Sequence, residues 1–397
     1  MKKIQKNQTR QKPFNHRKSF MAGILSLSLL TVMAGAAVAP ALGVIQVYFS
    51  DTNPLFVQMI ISVPAIFIVI TNFIFPRLCR AFGAKTLVMT GLLFYTAGGC
   101  AAGLFSNVAL VLVMRALVGI GVGIIMPLST GLLAYYFPPR MQGKLMGQSS
   151  AMNQMGGVVA TLLSGILAGF SWRASFLVYL MGLISIVLCG IFMPDEKIHQ
   201  HTEDGEKKKA HHAFRENYVY VIGMFLLMTI FFIYPSNFAM ETAADGVIPQ
   251  QLVAVIMAMM DFVAFIGGLT FIKVKRICRG KTKYLAPVLF LLGYLLMVLP
   301  GGWVGTLTGS AMIGFANGAG IPFIISEASV KAGKNAAVTV LPLISAALYL
   351  AQFLCPIIMS AVTAAFGGIV PHLPYCFAAL LAVAFCLWSS KIKPDRP

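Results

Sequence analysis

Apolar residues in this chain fall in long runs, each closed by a short polar or glycine-rich break, with neither strand alternation nor a one-sided stripe. A helix crosses the hydrocarbon core of a bilayer with about 20 apolar residues. Twelve runs approach or exceed that length: 19–48, 55–76, 86–106, 108–134, 145–169, 175–193, 218–240, 250–272, 284–304, 306–328, 338–366 and 370–390. In lipid each such run must satisfy its own backbone, which a helix does within one segment. The pattern therefore predicts an all-α membrane protein with twelve transmembrane helices. The thinnest break, between the ninth and tenth runs, is little more than Gly301, Gly302 and Trp303. The first run is too long for the core of a signal peptide and reads as a retained first span.

The longest polar stretch, 194–217, has six spans on either side. It divides the chain into a cytoplasmic N-terminal tail (1–18), a six-helix bundle (19–193), a cytoplasmic central linker (194–217), a second six-helix bundle (218–390) and a cytoplasmic tail (391–397). The linker holds His199, His201, His211 and His212, which suit either a metal-binding tract or a solvated connection. The halves echo each other. Arg77-Leu-Cys-Arg80 after span 2 recurs as Arg276-Ile-Cys-Arg279 after span 8, and Gly119, Gly123 and Pro127 in span 4 recur as Gly314, Gly318 and Pro322 in span 10. Duplicated six-helix units side by side are one known transporter plan.

Composition closes off other classes. Apolar residues make up 58% of the chain and charged ones only 11%, against roughly 25% charged in a soluble domain. Mean hydropathy is +0.84. The net charge of +18 could suggest nucleic acid, but 28 of the 30 Lys and Arg lie on segments that the twelve-span count puts on one side. Arg173 is the exception outside and Arg115 the exception within the membrane. That bias places both termini in the cytoplasm by the positive-inside rule. The seven cysteines are scattered with no metal-ligand or disulfide spacing. No Walker motif is present, and no nucleophile–base pair or metal constellation converges on one site. The expected protein is a multi-pass inner-membrane monomer without enzymatic activity, cofactor, metal or nucleic-acid partner.

Several motifs resemble those of the major facilitator superfamily. Span 4 reads Arg115-Ala-Leu-Val-Gly119-Ile-Gly121-Val-Gly123, close to that family's Arg-then-glycine pattern. In the loop between spans 2 and 3, Gly83 and Lys85 match the family motif, while Pro76, Arg80, Ala81 and Ala84 depart from it. Span 5 is similar to the glycine motif of the drug:proton antiporter branch at Gly147, Gly156 and Gly165. Ala160 and Ser164 keep small side chains there, and the motif's proline is absent, with Thr161 in its place. The resemblance implies two pseudo-symmetric six-helix bundles, a cavity lined by spans 1, 4, 7 and 10, and alternating access. It also implies proton-coupled efflux of small amphipathic or drug-like compounds. The motif glycines have a plainer reading as close helix contacts.

An ionisable residue inside a span costs about 2.5–3.5 kcal/mol on insertion scales and is a functional candidate by default. Asp261, near the middle of span 8 among Met259, Met260 and Phe262, is a candidate proton-coupling site or a structural acid bonded across the interface. Arg115 has three readings: proton transfer, as the resemblance implies, a bridge between helices, or the counter-charge of an organic anion. Glu327, Glu241, Asp245 and Asp51 read as rim or interface charges. Cavity contacts are expected from Gln46 in span 1, Tyr234 and Asn237 in span 7 and Asn317 in span 10, joined by Asn153 and Gln154 in span 5. The competing functions are uptake or exchange of a small organic anion, and a receptor or scaffold that no longer transports.

Overall fold

The structure is a computed structural model describing residues 17–137, 139–194, 206–246, 248–299, 302–366 and 369–391. Among the described residues every regular element is helical: α1 (Arg17–Ala36), α2 (Leu42–Tyr48), α3 (Pro54–Ala81), α4 (Ala84–Ala102), α5 (Val108–Tyr136), α6 (Pro139–Ala168), α7 (Met181–Phe192), α8 (Glu206–Asp245), α9 (Gln250–Cys278), α10 (Leu285–Val298), α11 (Gly302–Phe366) and α12 (Leu373–Ser389). Helix starts follow local chemistry. The Asn53 side chain accepts from the Leu55 N–H at 2.9 Å and Pro54 takes the first helical position of α3. Asn107 caps α5 in the same way through Ala109, at 2.8 Å. Both devices satisfy amides that the helix leaves without partners.

These helices do not correspond one to one with the expected spans. The expected first span is α1 and α2 joined by a 3₁₀ turn, Ala39–Ala41, where Pro40 interrupts the α-helical ladder. Nine stretches among the described residues are long and apolar enough to cross a bilayer, and one of them, Gln251–Val298, contains both α9 and α10. The helices α4 and α12 lie where the third and twelfth spans were expected, but α12 is only 17 residues long. No loop separates the expected tenth and eleventh spans. α11 runs on for 65 residues, roughly 97 Å if straight at 1.5 Å per residue, so it serves as two spans, Gly302–Lys331 and Val340–Phe366. The intervening Lys, Ala and Asn residues tolerate a helix far better than a proline or glycine cluster would. The linker is also partly helical, since α8 already begins at Glu206. His199, His201 and most of both terminal tails lie outside the described residues.

The two halves repeat one set of close approaches. A Cβ on Gly119 of α5 would collide with the Pro64 carbonyl of α3, and one on Gly123 would come within 2.6 Å of Thr71 Cβ. In the second half, Gly314 and Gly318 of α11 abut the Met260 and Ala264 carbonyls of α9 in the same manner. A further pair matches: Gly91 sits on the Gly121 carbonyl between α4 and α5, and Gly293 on the Gly309 carbonyl between α10 and α11. The halves themselves meet chiefly along two seams, α6 against α9 and α3 against α11, with a further contact of α2 on α8. Gly156 abuts the Leu29 carbonyl of α1, and Gly165 meets Ala254 of α9 at the first seam. Gly147 faces open space, so closeness of helices does not explain it.

Candidate functional site

Between the halves lies a cavity of about 670 Å³. Its wall comes from α1, α3, α5 and α6 on one side and α8, α9 and α11 on the other. The helices α4, α7, α10 and α12 contribute none of its lining residues. The lining is mostly apolar, with Phe73, Phe231, Phe232, Met126, Met228 and Met257, and a few polar groups set among them. A mainly apolar cleft with few, placed polar groups is the usual form of a small-molecule site.

Four of the expected residues line this cavity: Asp261, Asn153, Gln154 and Asn317. Pro127 joins them. Asn153 accepts a hydrogen bond from Thr31 Oγ1 at 2.6 Å, which ties α6 to α1. Asn317 is 8% exposed, and its Oδ1 has no hydrogen-bond partner. Asp261 is half-buried, and its Oδ2 accepts from Thr161 Oγ1 at 3.0 Å. That bond crosses the seam between halves. A Cβ on Gly157, one turn before Thr161 on α6, would make only an ordinary contact with Asp261 Oδ2, at 3.6 Å.

The other expected contacts are elsewhere. Tyr234 is fully buried inside the second half, its hydroxyl 2.8 Å from Ser310 Oγ and its ring stacked on Phe238. Asn237 accepts from Gln58 Nε2 at 2.8 Å and donates to the Ile233 carbonyl at 2.8 Å, a contact between halves beyond the cavity. Gln46 is not part of the wall. Arg115 is 0% exposed and lies behind the wall. Its Nε donates to the Ile60 carbonyl and its Nη2 to the Ala34 carbonyl, each at 2.6 Å, and its Nη1 donates to the Tyr179 hydroxyl. Tyr179 in turn donates to the Ala34 carbonyl at 2.8 Å. This is the bridging arrangement, linking α1, α3, α5 and the segment before α7. Glu327 is buried rather than on a rim, and pairs with Lys275 Nζ at 2.6 Å. Gly83 forms the start of α4, with Lys85 in its first turn, and Pro322 lies inside α11; none of the three lines the cavity.

Sequence reasoning missed Gln352, 8% exposed in the cavity wall beside Gly35, and Tyr349, whose hydroxyl donates to Met126 Sδ at 3.0 Å, joining α11 to α5 between the halves. Both lie in the eleventh run, which family expectation left out of the lining. Thr161 was noticed only as the residue standing where a glycine motif has proline. Among the described residues its hydroxyl is the only hydrogen-bond partner of Asp261.

Residues 24–356 match the family model described as Major Facilitator Superfamily. The Multidrug resistance protein B homolog of Mycobacterium tuberculosis (strain CDC 1551 / Oshkosh) is 32% identical over 118 residues, 29% of this chain and 22% of that protein. Multidrug resistance protein 3 of Bacillus subtilis (strain 168) is 24% identical over 224 residues, 50% of this chain and 42% of that protein. The matches thus span less than half the length of these curated relatives. Among solved structures, a bacterial homolog to the human lysosomal transporter Spinster, in an inward-facing and occupied conformation, aligns with a TM-score of 0.75 at 15% identity, covering 98% of this chain and 100% of that one. That likeness is one of fold.

Proposed function

The chain belongs to the Major Facilitator Superfamily, and from that premise we propose that it exports small amphipathic or drug-like compounds across the plasma membrane in exchange for protons. The observation that carries the reading is Asp261: an acid in the wall of a cavity between two halves, held by a single hydrogen bond from the opposite half. When ionised, its bond from Thr161 is charge-assisted and stronger, and it holds α6 to α9. A proton on the carboxyl weakens that tie and removes the charge from the apolar wall. Proton loading at this point therefore biases how tightly the seam is closed, which is what coupling to a rocking motion needs. The cavity's Phe and Met side chains suit flexible contact with varied apolar ligands. In this reading the basic ends of the helices face the cytoplasm, and the cavity lies on the cytoplasmic side of the Gln58–Asn237 contact.

A small organic anion is the weaker reading. Among the described lining residues there is no Lys, Arg or His, and Arg115 stands behind the wall with three of its donors bonded. The test is flux in proteoliposomes under an imposed pH gradient, with a neutral, a cationic and an anionic series. Asp261→Asn is expected to abolish uphill movement driven by the gradient while downhill exchange persists. Full uphill activity in that variant would sink the coupling role, and uptake of anions alone would replace the substrate class.

A further inference from the structure

Far from the cavity, the last turn of α8 carries an acid pair that proton coupling does not use. Glu241 and Asp245 stand four residues apart, so both carboxylates project from one face of the helix. Like charges at that spacing repel. His372, at the start of α12, turns its ring into the gap. Its Nδ1 lies 3.7 Å from Glu241 Oε2 and 3.6 Å from Asp245 Oδ2. Both separations exceed the roughly 2.7–3.2 Å of a hydrogen bond. The Nδ1 atom is shut off from solvent and has no hydrogen-bond partner. One ligand atom from each of the three residues lies within 4.8 Å of the other two.

The matching corner of the first half shows that the fold does not require an acid pair here. There Phe49, Trp172 and Phe176 close the same junction with edge-on ring contacts, at centroid distances of 5.5 Å and 6.1 Å. In one half rings do the joining together with the Arg173 guanidinium, which lies over Tyr48 and Trp172 and donates to the Tyr48 hydroxyl at 3.2 Å. In the other the corner holds two like charges facing an unbonded imidazole nitrogen.

We propose that Glu241, Asp245 and His372 form a binding site for a divalent transition-metal ion of the Zn²⁺ type. One imidazole nitrogen with two carboxylate oxygens is a donor set suited to Zn²⁺ and its neighbours, and not to the all-oxygen shells of Ca²⁺ or Mg²⁺. Bonds of about 2.0–2.2 Å in a tetrahedron set donors about 3.4 Å apart, so the nitrogen-to-oxygen distances need close by only a few tenths of an ångström. Side-chain exposures of 27%, 41% and 33% for Glu241, Asp245 and His372 let an ion enter from water and leave a coordination position open. A bound ion ties α8 to α12 two turns from Asn237, and so supports the contact that joins the halves beyond the cavity.

The experiment uses the full chain in nanodiscs, with His199, His201, His211 and His212 changed to Ala so that the linker imidazoles do not compete. Zn²⁺ titration by calorimetry is expected to show one saturable site per chain, and Co²⁺ to give the visible absorption of a low-coordinate ion. His372→Ala and Asp245→Asn are each expected to weaken binding more than about tenfold. Asp245→Asn is an exposed, near-isosteric change that leaves the fold intact. Binding that disappears with the linker histidines, or that persists unchanged in both His372→Ala and Asp245→Asn, would overturn the proposal.

Discussion

Arg115 and Asp261 are alike in sequence, each a lone charge inside an apolar run, and they are held in opposite ways. Arg115 has no exposure, and its guanidinium is bonded to two backbone carbonyls and a tyrosine hydroxyl on three other segments. Asp261 faces a cavity and keeps one hydrogen bond, from the other half of the molecule. A planar fork with fixed donor directions is suited to locking several helices at once. A carboxyl with one partner and free lone pairs can change its bonding without unmaking a bundle. The number of remaining partners, more than the presence of charge in a span, separates a structural group from one able to switch.

The strongest challenge to that contrast is Arg115→Ala. It removes three charge-assisted hydrogen bonds of roughly 1.5–3 kcal/mol each, so a net loss of about 3–5 kcal/mol is expected after partial recovery by relaxation. Thermal unfolding in detergent should show a large fall in midpoint. Arg115→Lys should not restore it, because one ammonium cannot reproduce the fork. A variant with a normal midpoint that lost only proton coupling would make Arg115 a switch and collapse the distinction. Asp261→Asn is the companion measurement. Asparagine still accepts from Thr161, so its midpoint should move by less than about 1 kcal/mol while uphill flux is lost. A stability loss as large as that of Arg115→Ala would make Asp261 structural.

The glycines divide in the same way and give a smaller effect. Gly318→Ala drives a methyl into the Ala264 carbonyl, a backbone contact that cannot rotate away, and overpacking of this kind costs about 1–3 kcal/mol. Gly147→Ala meets nothing and should change stability by no more than about 0.5 kcal/mol. Equal losses at the two positions would remove the case that α11 and α9 need their close approach.

Much of this was legible in the sequence. Long apolar runs and the one-sided basic residues gave membrane helices, and the spacing of Gly119, Gly123, Gly314 and Gly318 pointed to matched contacts that the structure places on α3 and α9. Asp261 stood out because charge in an apolar run is rare. What composition could not supply was direction. Whether Tyr234 turns to the cavity or to Ser310 depends on a rotation of its helix that neighbouring helices set. Periodicity offers little help in a run that is apolar on every face. The same limit hid Gln352 and Tyr349. The continuous α11 was missed because charge and a glycine marked a turn where local helix preference and the neighbouring helices won.

The least perturbing test of how the halves are joined is Asn237→Ala. Asn237 is 5% exposed, and its side chain links α8 to Gln58 of α3 while its own amide is anchored on the Ile233 carbonyl. Loss of one neutral hydrogen bond costs about 0.5–1.5 kcal/mol, too little to unfold either half. Because the bond spans the two halves, that energy is subtracted from the closed arrangement alone and shifts the balance toward separation by up to about tenfold (1.4 kcal/mol per factor of ten). A cysteine introduced at Val47, already well exposed on α2, should label at the same rate in both backgrounds and serve as the internal standard. A cysteine at Ile61, 2% exposed on α3, should label faster in the Asn237→Ala background than with Asn237 in place. An unchanged ratio would mean that the closure rests on the α2–α8 contact at Gly43 and the Ala239 carbonyl, and that the amide pair merely fills the space beside it.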